Sequence, residues 1–449
     1  MFNPVIYKSY DIRGVVPDEF DPAEAYHIGR AYAQYTGARR VVVARDMRLS
    51  GDQIEPELIR GLTEGGVTVR HVGLSTTPMF YYAVHVFKTD GGLMVTASHN
   101  PAQYNGIKMT RAQAKPIGLE SGLAEIRDLV ERREWTAAGG KPGAVEEVSV
   151  QGEYVAMVTE GATAEGLTIV ADAGNGMAGM LLPNVTERLG GTFVPLYWEL
   201  DGRFPNHEAD PLKEENMRDV QAAVRERQAN FGVAFDADGD RVFFCDETGE
   251  TIPGDIATAL LAQEALREHP RTPIVFDVRA SRTTAAAIAE AGGEPVLWKV
   301  GHSFIKPKMR EVGAYFAGEV SGHFYFAPWY AESSFLALNY FLRRVQRESK
   351  KKVSEIVAPL KRYAKTPEIN FTVVDKDAVL ARIKERYSDA DLNELDGVRI
   401  DYPDWWVNVR ASNTEPKLRL NMEAKTAELL AEKRKEIEEI ILGVPGGEQ

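Results

Sequence analysis

The stretch TASHNP, residues 96–101, places Ser98 beside His99 at the end of the apolar run GGLMV. A serine hydroxyl becomes an effective nucleophile only when a neighbouring group activates it. His99 is adjacent, but successive side chains on an extended chain point apart, which argues against this histidine. Ser98 is therefore a candidate nucleophile, and the loop by itself leaves the activating group open.

The stretch DADGDR, residues 236–241, carries three carboxylates at alternate positions, from Asp236, Asp238 and Asp240. It follows the apolar run FGVAF, and Gly239 allows the backbone to curl so that the carboxylates converge. Three hard oxygen ligands suit Mg²⁺ that serves a phosphate. An EF-hand loop is disfavoured because Arg241 occupies the position of its turn glycine, whereas a solvated acidic turn remains an alternative.

The stretch RASNTEP, residues 410–416, combines a guanidinium, hydroxyls and an amide in one turn, from Arg410, Ser412, Asn413 and Thr414. With backbone N–H groups these side chains could bind an anion, and phosphate fits better than carboxylate because it accepts more hydrogen bonds. Polar turns of this composition are often only turns. Both interpretations remain open on composition alone.

The stretch GEVSGH, residues 318–323, carries Glu319 and Ser321 between glycines, which let the backbone approach a ligand closely. A carboxylate and a hydroxyl two residues apart can bind neighbouring hydroxyl groups of a sugar. The stretch VGHSFIK adds His302, although an isolated histidine is more often a packed or surface residue. Composition suggests a sugar-binding loop here, without excluding a structural one.

The elements that must position these loops follow one pattern three times. A β-branched run ends in an acid, a helix-like stretch follows, and a double glycine that suits a helix C-cap leads into a second apolar run. A third apolar run then ends in a polar, glycine-containing loop. The acids are Asp46, Asp172 and Asp277, and the double glycines begin at Gly65, Gly190 and Gly292. The repeat predicts three similar α/β domains.

The C-terminal segment breaks this pattern, since the apolar run YPDWWVNV leads into RASNTEP and then into a charge-rich helical tail. We therefore expect a smaller α+β domain there. The predicted domains are residues 1–148, 149–250, 251–365 and 366–449.

Composition limits the class of protein. The chain has 449 residues, a formal net charge of −13, and 44% hydrophobic and 27% charged residues, which suits a soluble multidomain protein. The acidic balance argues against a nucleic-acid partner. A single cysteine, Cys245, and the lack of a signal peptide or an 18-residue apolar run predict a cytoplasmic protein with no membrane partner.

Together these loops resemble the α-D-phosphohexomutase superfamily over nearly the whole chain. TASHNP resembles its phosphoserine loop, DADGDR its metal loop, GEVSGH its sugar loop and RASNTEP its phosphate loop, in the family's order. The stretches YDIRG, YNGIK, DGRFPNHEADP and GHSFIK match as well. The resemblance implies three α/β domains with mixed sheets and a smaller C-terminal domain around a central active-site cleft.

The resemblance also implies a reaction, the interconversion of hexose 1-phosphate and hexose 6-phosphate. Ser98 would rest as phosphoserine, and Mg²⁺ held by Asp236, Asp238 and Asp240 would take a further ligand from its phosphate. A bisphosphorylated hexose would be the intermediate and activator. The partner is then a small phosphosugar, and the chain is expected to be a monomer or a homodimer.

Roles for other residues come from the same resemblance. Lys108 matches the family's general base, and its pKa would have to fall, which the nearby cations Arg13 and Arg241 could cause; His99 is the rival. Arg279 lies where related bacterial enzymes often carry lysine, and the resemblance implies a substrate contact there. Supporting or substrate-binding roles fall to Tyr10, Arg13, Arg241, His302, Glu319, Ser321, His323, Arg410, Ser412, Asn413 and Thr414.

The choice of sugar depends on Val320, which lies between Glu319 and Ser321. The aminosugar branch of the family typically has glutamine at this position, whereas the mannose/glucose branch has an apolar residue. RASNTEP also resembles the mannose/glucose branch. We therefore expect a phosphomannomutase/phosphoglucomutase, with a phosphoglucosamine mutase, a phosphatase or a phosphosugar-binding protein as alternatives.

Overall fold

The computed structural model describes residues 2–135, 141–411 and 417–443. The chain divides into two compact units, the first of residues 1–253 and 321–356, the second of residues 254–320 and 357–449. The sequence predicts four domains, and their boundaries remain a prediction, because this division of the chain has two units.

The strands of the described residues are β1 (Ile12–Val15), β2 (Arg40–Arg45), β3 (Thr68–Leu74), β4 (Gly91–Val95), β5 (Tyr104–Arg111), β6 (Lys115–Pro116), β7 (Val145–Glu147), β8 (Thr168–Asp172), β9 (Thr192–Leu196), β10 (Phe231–Phe235), β11 (Val242–Asp246), β12 (Thr251–Ile252), β13 (Pro273–Asp277), β14 (Glu294–Trp298), β15 (Phe316–Gly318), β16 (Phe324–Phe326), β17 (Ala331–Glu332), β18 (Ala364–Lys365), β19 (Ile369–Thr372), β20 (Asp391–Asn393), β21 (Val398–Asp401), β22 (Trp405–Ala411) and β23 (Lys417–Ala424).

The α-helices are α1 (Pro22–Thr36), α2 (Gly51–Glu64), α3 (Thr77–Val86), α4 (Leu123–Arg132), α5 (Gln151–Thr159), α6 (Ala178–Leu189), α7 (Arg218–Arg227), α8 (Gly254–Glu268), α9 (Arg282–Glu290), α10 (His302–Val312), α11 (Ser334–Arg347), α12 (Val353–Val357), α13 (Lys376–Arg386) and α14 (Ala427–Leu442). Among the described residues, none of these helices combines the length and the apolar character that crossing a bilayer requires.

The predicted repeat appears as one strand order used three times. In the first unit β2 lies between β3 and β4, and β8 lies between β9 and β10; in the second unit β13 lies between β14 and β15. The middle strand is parallel to both neighbours in each case. Antiparallel β5 extends the first of these sheets and antiparallel β11 the second, so both sheets are mixed, as expected.

The third strand of each repeat is a buried element inside its sheet, and a candidate loop follows it. All five residues of β4 and of β10 are buried, which explains their unbroken apolar sequences. The helices α2, α6 and α9 end at Glu64, Leu189 and Glu290, next to the predicted double glycines. Gly190 and Gly292 there have positive φ, the conformation that favours glycine.

The first strand of each repeat ends in an aspartate that closes a tight turn. Oδ1 of Asp46 accepts the N–H two residues later at 3.0 Å, and Oδ1 of both Asp172 and Asp277 accepts the equivalent N–H at 2.8 Å. The same carboxylates also face a basic side chain. The partners are Arg48 at 3.3 Å, His207 at 3.1 Å and Arg279 at 2.9 Å.

The C-terminal part of the second unit is an antiparallel sheet in the order β18-β23-β22-β21-β20, with β19 also paired to β23. Apolar side chains of α13 and α14 form one core with its strands. This arrangement confirms the smaller α+β domain. The strands β22 and β23 lead into and out of RASNTEP, of which residues 412–416 lie outside the described residues.

His71 connects three elements of the first sheet. It lies on β3, where its Nε2 is 3.1 Å from Glu55 of α2 and its Nδ1 is 2.8 Å from Glu147 of β7. The close contact with the Glu55 carboxylate outweighs the opposing effect of burial and, with Glu147, raises the pKa of His71 from 6.5 to about 9. The charged imidazolium is therefore the form that stabilises the fold.

This pKa predicts a loss of stability in mild alkali. A histidine whose folded pKa is raised contributes fully below its ordinary value of 6.5, and the contribution disappears as the pH rises through about 9. Thermal melts from pH 6 to pH 10 should show a fall in Tm over this window that is smaller in His71→Gln. His85→Gln is the control, because burial lowers the pKa of His85 instead. A fall of equal size in His71→Gln would contradict the assignment.

Candidate active site

The loop after β10 gathers three buried carboxylates. Asp236, Asp238 and Asp240 are at most 2% exposed, and one oxygen atom from each lies within 4.8 Å of the others. Gly239, with φ of +70°, permits the turn between them. Within the described part of the chain, the buried Oδ1 of Asp238 has no hydrogen-bond partner. A buried carboxylate oxygen left open in a group of three fits the hard oxygen donor set of Mg²⁺.

The loop is held in place by groups that donate to it. Oδ1 of Asp236 accepts the N–H groups of Asp240 and Arg241, both at 3.0 Å. Thr77, the first residue of α3, donates its hydroxyl to Oδ2 of Asp238 at 2.6 Å and its N–H to the Asp238 carbonyl at 2.9 Å. The positive end of the α3 dipole therefore also faces this carboxylate. Sequence reasoning missed Thr77, which is distant along the chain.

The pKa values of Asp236 and Asp240 are shifted in opposite directions. Burial, together with repulsion from Asp240 and Asp238, raises the pKa of Asp236 well above its usual range. Burial acts in the same direction on Asp240, but Lys108, His323 and Arg241 outweigh it and hold the pKa of Asp240 well below its usual range. Asp240 is therefore the ionised member of this pair, and the nearby cations keep it ionised.

Ser98 lies at the edge of this cluster. It follows β4, is 1% exposed, and has φ of +50°, which is uncommon for a residue other than glycine. Its Oγ lies 3.3 Å from Oδ2 of Asp236 and 3.3 Å from Nδ1 of His99. The expectation that His99 points away from Ser98 is wrong, because the backbone at Ser98 is left-handed rather than extended.

Lys108 lies on β5, opposite Met94 of β4, and reaches the same carboxylates. Its Nζ is 2.7 Å from Oδ2 of Asp238 and 2.5 Å from Oδ2 of Asp240. Burial alone lowers the pKa of Lys108, but the two aspartates outweigh it and raise the pKa well above its usual value. The direction is opposite to the expected fall. By contrast, burial and the cations Arg241 and Arg13 lower the pKa of His99 well below its usual value.

Arg48 holds the Ser98 loop, and sequence reasoning did not select it. Its guanidinium donates to the carbonyl oxygens of Ser98, Asn100, Pro101 and Tyr104 at 2.5–2.9 Å. The side chain is fully buried beside Asp46. The available signal was the pattern Asp-x-Arg at the end of the first strand, which recurs at Asp277 and Arg279.

Arg13 reaches the same loop from the N-terminal segment, which also contains Tyr10. The Arg13 guanidinium donates to the Ala97 carbonyl at 3.2 Å and to Oδ1 of Asn100 at 2.6 Å, and it also pairs with Asp11. Tyr10 is half-buried. The structure therefore places Arg13 at the backbone of the Ser98 loop.

Arg241, Ser321 and His323 lie beside the carboxylates in the same unit. Nε2 of His323 is 3.3 Å from Oδ1 of Asp240 and 3.3 Å from Nε of Arg241, and its Nδ1 is 3.1 Å from Oγ of Ser321. His323 also forms a backbone bridge with Arg241. These contacts bring the end of GEVSGH to the metal loop.

The second unit contains a separate group of the candidate residues. Oε1 of Glu319 accepts the N–H of Gly301, just before α10 begins at His302, at 2.7 Å. Nη2 of Arg279 lies 3.9 Å from the same oxygen and 2.9 Å from Oδ2 of Asp277, which also accepts the Val320 N–H. Arg279, Glu319 and His302 are thus brought together.

Arg410 lies in the same unit, on β22, directly opposite Arg419 of β23. Glu368 contacts both, at 3.3 Å and 3.0 Å, and is 3.7 Å from Arg279. Burial, and then the charge of Arg279, lowers the pKa of Arg410. Ser412, Asn413 and Thr414, the other members of the predicted anion cradle, lie outside the described residues.

Comparison with known proteins gives consistent matches along the chain. Family models described as phosphoglucomutase/phosphomannomutase match in order: alpha/beta/alpha domain I at residues 5–137, domain II at 152–249, domain III at 253–363, and the C-terminal domain at 368–440.

The relatives agree with these matches. A phosphomannomutase/phosphoglucomutase of Pseudomonas aeruginosa is 41% identical over 438 residues, covering 95% of this chain and 93% of the relative. A crystal structure of a phosphoglucomutase/phosphomannomutase family protein from Burkholderia thailandensis has a TM-score of 0.92 at 33% identity, covering 100% and 99% of the two chains. An N-acetylphosphoglucosamine mutase of Aspergillus fumigatus, solved with GlcNAc-6P and magnesium, shares the fold with a TM-score of 0.61 at 13% identity, covering 96% and 94%.

The contacts of Arg48 predict its contribution to stability. Arg48→Met leaves the buried Asp46 carboxylate without its cation and several loop carbonyls without their donor, so it should cost about 3–5 kcal/mol of unfolding free energy. Adding Asp46→Asn should restore part of that loss. Denaturant unfolding measures both, and hydrogen exchange should show faster exchange at residues 98–104. Arg40→Met, at an exposed position, is the control. A loss below 1 kcal/mol in Arg48→Met would contradict this role.

Proposed function

Since the chain belongs to the phosphoglucomutase/phosphomannomutase family and is a phosphohexomutase, we propose that it works on mannose and glucose phosphates through a phosphorylated Ser98. The observation that carries this proposal is the position of Ser98 Oγ, 3.3 Å from a carboxylate of the Asp236, Asp238 and Asp240 group. A phosphoryl group on this oxygen would lie beside that group.

We propose that Asp236, Asp238 and Asp240 hold Mg²⁺. The ion would compensate the negative charge of the carboxylates and draw negative charge away from the transferring phosphoryl group. The open Oδ1 of Asp238 supports this assignment, and the magnesium named for the Aspergillus relative is consistent with it. The chain's own cations, Lys108, Arg13 and Arg241, surround the same volume and favour a charged phosphoryl group.

We propose Lys108 as the residue that transfers the proton, with His99 as the second candidate. Lys108 reaches the carboxylates beside Ser98, but its raised pKa keeps it protonated in this structure. In that form it can donate a proton and neutralise charge. His99 offers a neutral nitrogen 3.3 Å from Ser98 Oγ, because its pKa is lowered. The two residues therefore suit opposite halves of an acid–base cycle.

We propose that the distal phosphate of the substrate binds Arg410 together with Ser412, Asn413 and Thr414, and that Glu319 and Ser321 bind sugar hydroxyls. Tyr10, Arg279, His302 and His323 would contact the substrate as well. A bisphosphorylated hexose is the proposed intermediate, so each phosphate must fit both the Ser98 end and the arginine end. We also propose a cytoplasmic location, consistent with the single buried thiol of Cys245.

Ser98→Ala tests the covalent step. The variant should carry no covalent phosphate by intact mass and should lose about a thousandfold or more in turnover. Its fold should be unchanged, since one hydroxyl contributes little to stability. Ser121→Ala, at an exposed position, is the matched control and should keep both the phosphate and the activity. Near-normal turnover by Ser98→Ala would overturn the phosphoserine proposal.

The sugar preference is tested by steady-state kinetics. If Glu319 and Ser321 bind the 3- and 4-hydroxyls of the sugar, the site discriminates little between configurations at carbon 2, where glucose and mannose differ. Their 1-phosphates should have kcat/KM values within a factor of about 10, or about 1.4 kcal/mol. Glucosamine 1-phosphate should be poorer, since the loop around Val320 offers its ammonium no dedicated partner. A preference for glucosamine phosphate over both neutral sugars would contradict the assignment.

A further inference from the structure

Glu368 occupies a position that the proposed reaction does not yet explain. It precedes β19 and lies within 4 Å of three guanidinium groups, those of Arg279, Arg410 and Arg419. Arg410 and Arg419 are direct cross-strand partners, and like charges in that arrangement repel each other. Glu368 therefore lies where a negative charge is required whenever no substrate is bound.

Glu368 shares its two carboxylate oxygens between two of these arginines. Arg279 is compensated by two hydrogen bonds to Asp277, whereas Glu368 is divided between Arg410 and Arg419. Arg410 is 2% exposed, and within the described part of the chain its buried Nε has no hydrogen-bond partner. A buried guanidinium with an open donor indicates room for a further anionic acceptor.

We propose that Glu368 is an internal stand-in for the substrate's distal phosphate and thereby sets the affinity of that site. The inference rests on the proposed function, which assigns the distal phosphate to Arg410. Without substrate, Glu368 pairs with the two facing arginines. When a phosphate arrives, it takes over donors that Glu368 held, because a phosphate brings more charge and more acceptor oxygens than a carboxylate.

This exchange suits a reaction whose intermediate must turn over. A bisphosphorylated hexose has to leave the arginines with one phosphate and return with the other. Without Glu368, phosphate release would leave the buried guanidinium of Arg410 without this anionic partner, which is costly. Glu368 reoccupies them at that moment, so it weakens phosphate binding and speeds release.

The test compares Glu368→Gln with the wild-type protein, using inorganic phosphate as the probe. Glutamine keeps the size and an acceptor oxygen but removes the charge. Phosphate should bind about 5–10-fold more tightly by calorimetry and as a competitive inhibitor. KM for glucose 1-phosphate should fall, and kcat should fall with it because release slows. Glu290→Gln is the matched control, since Glu290 pairs with Arg362 at an exposed position and should change neither constant.

The outcomes separate this inference from the proposed function. Unchanged or weaker phosphate binding by a folded Glu368→Gln would overturn the role of Glu368. If Glu368→Gln does not fold, Glu368→Asp keeps the charge on a shorter side chain and should show the same changes at smaller size; their absence would also overturn it. Failure of wild-type protein to bind phosphate or hexose phosphate, or unaltered binding by Arg410→Met, would instead count against the proposed distal site.

Discussion

The burial of three carboxylates at residues 236–240 is the constraint on which much of the first unit depends. Carboxylates at most 2% exposed are costly unless cations and donors surround them. The chain supplies Lys108 from β5, the N-terminus of α3 at Thr77, and Arg241 and His323 beside the loop. The open oxygen of Asp238 shows that this compensation is incomplete, which is what a cation site requires.

The same constraint explains why Ser98, in the loop after β4, and Lys108, on β5, belong to one pair of neighbouring strands. β4 and β5 pair antiparallel, so one hairpin carries both the hydroxyl and the ammonium to the carboxylates. Arg48 then fixes the loop that follows β4 through its carbonyl oxygens. Its counterpart in the second unit, Arg279, pairs with Asp277, and Asp277 holds the GEVSGH loop by accepting the Val320 N–H. The aspartate turn that recurs in each repeat thus helps to hold a loop in two of them.

In the second unit the charges brought close together are positive rather than negative. Arg410 and Arg419 face each other across β22 and β23, so the excess charge there is positive. Glu368 reduces this excess, and Nε of Arg410 has no hydrogen-bond partner among the described residues, which exclude 412–416. The proposed reaction therefore uses a carboxylate group with an excess of negative charge and an arginine group with an excess of positive charge. A phosphosugar suits both groups, because a phosphate binds arginines directly and binds carboxylates through a metal ion.

The sequence by itself determined the threefold α/β repeat, the smaller α+β domain at the C-terminus, and the residue types at Ser98, Asp236, Asp238 and Asp240, because periodicity and local motifs are written along the chain. Only the tertiary structure decided which distant groups meet them. Thr77 and Glu368 contact partners that are remote in sequence and that no local pattern marks. The Asp-x-Arg pattern marks Arg48, but it does not show that the guanidinium reaches the Ser98 loop. The left-handed backbone at Ser98 brings His99 to its hydroxyl, and the aspartates raise the pKa of Lys108 instead of lowering it. Orientation and pKa depend on burial and on the sum of nearby charges, which exist only once the strands have paired.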